Sequence, residues 1–186
     1  MKFGSFEIDG LETYGVKSSN AVLPVSESFR QTYPNLLTAI SSGMIKEMEF
    51  KNAVPSEKVE FLPPIPNPKK IICAGLNYKK VYPIDVPIPT APVEPVVFTR
   101  FSDSFVGNGA ALHLPRGDAA NTYDYEGEIV AVIGQPMWRV SEGESKNYIF
   151  GYSIMNEGSV RGHQKHSIHA GKNFYRSGSW GPWICL

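Results

Sequence analysis

Tyr123-Asp124-Tyr125-Glu126-Gly127-Glu128-Ile129-Val130-Ala131-Val132-Ile133 is the densest strand signal in the chain. β-Branched and aromatic residues fill it and no proline interrupts it, so it predicts a strand inside a sheet. Strict alternation over the run places Asp124, Glu126, Glu128, Val130 and Val132 on one face. Carboxylates two apart on a strand stand roughly 6.5–7 Å apart at the backbone, and beside an apolar run they repel unless a cation or a shared proton relieves them. Hard oxygen donors of this kind suit Mg²⁺, Mn²⁺ or Ca²⁺ better than zinc. A charged, solvent-facing strand end would show the same residues, so the run by itself leaves both readings open.

Working outward, the chain reads as β-rich with short helices. Asp9-Gly10 between two short apolar runs predicts a hairpin near the start. Leu36, Leu37 and Ile40 recur at helical spacing, with Pro34 early in that helix and Gly43 as its stop. These make a small N-terminal β+α domain over residues 1–62. Four prolines between Pro63 and Pro68 force an extended linker. Residues 69–186 then form the second part. It opens with a buried strand at Ile71-Ile72-Cys73-Ala74 and continues with Val96-Val97-Phe98-Thr99 and Tyr152–Asn156. Ser141-x-x-Glu144 predicts a capped helix from about Glu142 to Ile149. The last residues, Trp180 to Leu186, read as a strand with no following turn, and the expectation is a chain belonging to a longer protein.

Composition narrows the function. Eighteen Lys and Arg balance eighteen Asp and Glu in 186 residues, which excludes the basic footprint of a nucleic-acid binder. No apolar run approaches the length of a membrane span, and no secretory h-region opens the chain, so neither a membrane nor an export route is expected. Two cysteines, Cys73 and Cys185, make no disulfide framework, and a reducing cytoplasm is the expected setting.

Other residues carry weaker chemistry. Glu157 follows a strand and precedes Gly158, a place for a ligand but equally for a cap. Lys172 sits between a glycine and Asn173-Phe174, as an exposed loop lysine also would. His163, His166 and His169 recur every third residue; on a helix the first two could share zinc while the third drifts away.

Five blocks occur in order: Lys69-Lys70-Ile71-Ile72-Cys73-Ala74-Gly75-Leu76-Asn77-Tyr78; Tyr123-Asp124-Tyr125-Glu126-Gly127-Glu128-Ile129 through Gly134; Gly151-Tyr152-Ser153-Ile154-Met155-Asn156-Glu157-Gly158-Ser159-Val160-Arg161-x-x-Gln164; Gly171-Lys172-Asn173-Phe174; and Gly181-Pro182-Trp183-Ile184. In this the chain resembles the fumarylacetoacetate hydrolase family, which includes acylpyruvate hydrolases, oxaloacetate decarboxylases or tautomerases, and hydratases and isomerases of 2-oxo-dienoic acids. The resemblance implies a mixed, β-rich α+β fold: a β-roll catalytic domain, incomplete here, after a small N-terminal domain. It implies Mg²⁺, with Mn²⁺ or Ca²⁺ as alternatives, held by Glu126, Glu128 and Glu157, the last standing where the family commonly has Asp. It also implies Lys172 and Gln164 as catalytic residues, with Arg161 and Tyr78 joining them in holding substrate.

The implied substrate is a small 2-oxo acid or enol diacid, the implied reaction C–C cleavage, decarboxylation or keto–enol isomerisation through an enolate, and the implied assembly a homodimer. Two departures shape the expectation. Where many members carry a water-activating His and Glu, this chain has Val81 and Ile84. The family's later Gly-Thr-Pro-x-Gly segment has no counterpart. A rival expectation is therefore a truncated or degenerate member without catalysis that folds only by association.

Overall fold

The structure, a computed structural model, describes residues 1–77 and 93–186. Tyr78, Val81 and Ile84 lie outside the described residues. In chain order the strands are β1 (Lys2–Ile8), β2 (Leu11–Ser18), β3 (Ala21–Pro24), β4 (Val54–Pro55), β5 (Glu60–Phe61), β6 (Ile72–Gly75), β7 (Val96–Thr99), β8 (Phe105–Val106), β9 (Tyr123–Asp124), β10 (Gly127–Ile133), β11 (Ile149–Asn156), β12 (Ser159–Val160), β13 (Gly178–Trp180) and β14 (Ile184–Cys185). Short helices are α1 (Glu27–Thr32), α2 (Leu36–Ser41), α3 (Glu142–Ser145), α4 (Arg161–Gln164) and α5 (Ile168–Lys172). The fold is the β-rich mixture that the sequence predicts, a sheet curled into a half-barrel with few helices.

Asp9 and Gly10 turn β1 into β2 with φ of 50° and 78°, and Ile8 pairs with Leu11 across the turn. Two consecutive left-handed residues match the right-handed twist of the flanking strands, which is why this dipeptide closes hairpins. β1 also pairs with β14, Lys2 opposite Cys185 and Phe3 opposite Ile184. β14 in turn pairs with β11, so the first strand and the site-bearing strand belong to one ten-stranded sheet. The core follows the same path: Phe3, Tyr14 and Leu36 are buried together with Ile65, Met155, Trp180 and Ile184. The proline-rich stretch takes part, since Ser5 Oγ donates to the Pro64 carbonyl at 2.7 Å and Ile65 is buried.

Local structure departs from the sequence reading in four places. The strand expected to be buried after the linker, β6, is not, since Ile72 and Ala74 are exposed. Pro34 does not open a single helix but separates α1 from α2. Asn35 then caps α2, its side chain accepting from Thr38 N while Thr38 Oγ1 accepts from Asn35 N. At Ser141 the hydroxyl donates to the Glu144 carboxylate at 2.6 Å instead of accepting from the backbone, and α3 gives way to a 3₁₀ turn at Lys146–Tyr148. The Tyr123–Ile133 run breaks at Tyr125 and Glu126, leaving β9 to pair with β12 and β10 with β11.

Tyr14 shows how burial appears in a measurement. Its phenol donates to the Tyr33 carbonyl at 2.5 Å, and burial pushes its pKa up to about 12 from 10.0. A raised folded value means that the contribution is complete below pH 10 and is lost as pH climbs toward 12. Tyr14→Phe is expected to cost about 1 kcal/mol at neutral pH. It should also flatten the alkaline limb of a chemical-denaturation series, and an unchanged limb would count against this account.

A candidate metal centre

The register of β10 against β11 builds the centre. Gly127 faces Asn156 and Glu128 faces Met155, so the residues just beyond, Glu126 and Glu157, meet. Glu157 N donates to Glu126 O at 2.8 Å, and Glu126 N donates to Asn156 Oδ1 at 3.2 Å. Along β10 the Glu128, Val130 and Val132 side turns inward while Ile129, Ala131 and Ile133 are exposed, which keeps the expected alternation. The strand breaks before it at Tyr125 and Glu126, and the exposed Asp124 carboxylate pairs at 2.9 Å with Arg161, the same guanidinium that reaches Glu126.

Carboxylate oxygens of Glu126, Glu128 and Glu157 lie within 4.8 Å of one another, the one such grouping of three ligand residues among those described. Glu157 is 5% exposed, and its Oε1 is buried with no hydrogen-bond partner among the described residues. A buried carboxylate oxygen left without a donor costs roughly 1–3 kcal/mol or more unless a cation or water takes it. Three hard oxygens, one of them orphaned, fit a divalent cation of the Mg²⁺ kind. The histidines do not form such a group. His163 and His166 stack edge-on at 6.1 Å, and His169 turns instead to Phe101 and Asn173.

Resident cations surround the carboxylates. Lys172, at the end of α5 and 3% exposed, places Nζ 2.7 Å from Glu126 Oε2 and 3.1 Å from Glu157 Oε2, with the Phe98 ring 5.5 Å away. Arg161, at the start of α4, holds Glu126 Oε1 at 2.5 Å and also donates to Gln164 Oε1 at 3.3 Å. Ser159 Oγ donates to the same Glu126 oxygen at 2.8 Å. Burial alone would raise the pKa of Glu126, but hydrogen bonds from Lys172 and Ser159 and the charges of Lys172 and Arg161 carry it below the ordinary carboxylate range. For Arg161 burial is again opposed, here by the Asp124 and Glu126 carboxylates, which hold its pKa up.

These groups line a cleft of about 360 Å³, walled by Gly75, Leu76, Val96, Phe98 and Ile168. Glu126, Glu128, Glu157, Arg161, Gln164 and Lys172 all face it, and Tyr78 lies outside the described residues. A larger groove of about 730 Å³ lies between Leu11, Pro24, Phe50 and Val54. Its two cations, Arg30 and Lys51, are already paired with Glu27, so size does not point to the chemistry. Sequence reading missed Ser159, and it missed Cys73 and Arg100 behind the carboxylates. Burial and the nearby Glu157 carboxylate push the Cys73 thiol well above its usual range, so it stays protonated.

A family model described as the fumarylacetoacetate (FAA) hydrolase C-terminal domain matches residues 70–186. The chain belongs to this family. Members of the fumarylacetoacetate hydrolase family act as hydrolases, isomerases and oxaloacetate tautomerases. The family homolog "fumarylacetoacetate hydrolase domain-containing protein 2" of Dictyostelium discoideum is 34% identical over 137 residues, covering 72% of this chain and 43% of its own. An oxaloacetate tautomerase of Bacillus subtilis is 34% identical over 110 residues, 58% of this chain and 36% of its own. Among solved structures, a fumarylacetoacetate hydrolase from Exiguobacterium antarcticum superposes with a TM-score of 0.75 at 26% identity, over 100% of this chain and 66% of that one. The chain thus spans less than half the length of these curated relatives. Among the described residues no helix is long and apolar enough to cross a membrane.

Proposed function

We propose that this chain carries the metal-holding and substrate-holding part of an enzyme that acts on a small 2-oxo acid or enol diacid, with Mg²⁺ as the cation and Mn²⁺ or Ca²⁺ as alternatives. The observation that carries the proposal is the convergence of Glu126, Glu128 and Glu157 on one point, with Lys172 spanning two of them. A divalent cation held there supplies Lewis acidity for negative charge that develops on a substrate oxygen.

The chain's own residues do the rest. Lys172 Nζ, fixed by two carboxylates, is a proton-bearing charge at the cleft wall. Gln164 and Arg161, one turn apart on α4, offer an amide and a guanidinium to a substrate carboxylate. Phe98, its ring 5.5 Å from Lys172 Nζ, and Ile168 supply apolar wall to the cleft. Within the range of C–C cleavage, decarboxylation and isomerisation, keto–enol isomerisation has the most support. It needs a proton moved and no activated water, and Val81 and Ile84 offer no base for water. Relatives named oxaloacetate tautomerase point the same way. A cytoplasmic homodimer is the expected setting, with the exposed Ile129 and Ile154 as cross-strand neighbours free to meet a second copy.

The test is thermal unfolding with and without millimolar Mg²⁺, alongside the ultraviolet decay of enol-oxaloacetate. At a hundredfold excess over Kd the cation is expected to add about 2.7 kcal/mol to the wild type and nothing to Glu126→Ala. Equal response of the two proteins would place the cation elsewhere. A cooperative wild-type transition indifferent to Mg²⁺, Mn²⁺ and Ca²⁺ would favour the non-catalytic reading.

A further inference from the structure

Arg100 follows β7 directly and is 3% exposed. Its guanidinium donates from Nε to Ser104 Oγ, from Nη1 to Gly158 O and from Nη2 to Ser177 Oγ, each at 3.3 Å, and its Cζ sits 4.3 Å above the Phe105 ring. All three acceptors are neutral, and among the described residues Arg100 forms no ion pair. A buried charge without a counter-charge is too costly to persist. The bond to the Gly158 carbonyl sets the guanidinium against the backbone next to Glu157. Burial draws the guanidinium's pKa down, and the Glu157 carboxylate is the foremost influence opposing it.

We infer that Arg100 is a built-in counter-charge behind the carboxylate cluster, a positioning residue that loosens the cluster's hold on a divalent cation and leaves the loaded site positive enough to draw in a dianionic oxo acid. The inference rests on the metal reading proposed above. Lys172 pairs with Glu126 and Glu157, Arg161 is shared between Glu126 and Asp124, and Arg100 adds a further buried charge beside Glu157. Asp124, Glu126, Glu128 and Glu157 against these three cations leave one negative charge; a divalent cation turns that into one positive charge, and without Arg100 the loaded group would be neutral. The residue therefore acts in opposite directions on the two ligands: it repels the cation and attracts the anion that follows.

A purely structural role would weaken both. The 186-residue chain, stripped of metal, is titrated with Mn²⁺ by calorimetry, and the Mn²⁺-loaded protein is then titrated with oxalate as a dianionic probe. Arg100→Met is expected to bind Mn²⁺ at least roughly tenfold more tightly and oxalate at least roughly tenfold more weakly than wild type, the scale of one unit charge acting through a partly screened interior. Arg100→Lys keeps the charge and should bind Mn²⁺ within about threefold of wild type. A folded Arg100→Met that binds Mn²⁺ no tighter than wild type overturns the inference while leaving the metal reading intact. Should that variant not fold, Arg100→Lys decides: near-wild-type binding sustains the counter-charge, and a tenfold loss assigns the effect to hydrogen-bond geometry and overturns it. A wild type that binds no Mn²⁺ removes the metal reading and this inference with it.

Discussion

Lys172→Met is expected to lower turnover on the order of a hundred- to a thousandfold, the usual loss when one preorganised charge is taken from a developing anion. The same change has a second, separable effect on the fold. Lys172 is 3% exposed and bonded to Glu126 and Glu157, so its removal leaves two close carboxylates without their common cation. Breaking a buried pair from one side costs about 3–5 kcal/mol. A divalent cation can take over that neutralising role but not the role of a proton-bearing group beside the substrate. Millimolar Mg²⁺ should therefore restore the melting temperature of Lys172→Met without restoring its rate. Unfolding and initial-rate measurements on the same samples check this, and a variant with unchanged turnover would remove Lys172 from the chemistry.

Glu157→Gln is expected to weaken divalent-cation binding by more than about a hundredfold, since even the partners that merely orient metal ligands are typically worth 10–100-fold. The amide matches the carboxylate in shape and Lys172 keeps its bond to Glu126, so the loss of stability should be far smaller than the loss of affinity. Glu157→Asp keeps the charge with a shorter reach and is expected to retain binding. Calorimetric Mn²⁺ titration of the three proteins decides the matter. Equal affinity in the wild type and in Glu157→Gln would mean that the orphaned Oε1 is not a ligand.

How much of this was legible beforehand depends on how local the cause is. Asp9-Gly10 names its own turn because the required backbone angles are a property of those two residues. The inward set Glu128, Val130 and Val132 follows from a period of two within one strand. The break at Tyr125 and Glu126 was not legible by the same rule, because nothing in those two residues announces that the strand stops there and resumes with a new partner. Glu126 and Glu128 stood out by their spacing and Glu157 and Lys172 by their place beside glycines, but Arg161, Gln164 and the grouping of all six came from ordered family blocks, which carry information about distant contacts that no single spacing holds. Arg100 had neither kind of signal. In Thr99-Arg100-Phe101 an arginine reads as a surface residue. What buries it are Gly158 and Ser177, 58 and 77 residues further along.

The pairing of β1 with β14 bears on how the molecule can be cut. Lys2 and Phe3 complete the strand that lies against β11, and Leu186 N donates to Met1 O at 3.2 Å. The stretch that matches the family is thus not a cassette that can be excised and expressed alone. Removing the first eight residues would open the edge of β14 to solvent and to any passing strand, one strand away from Glu157.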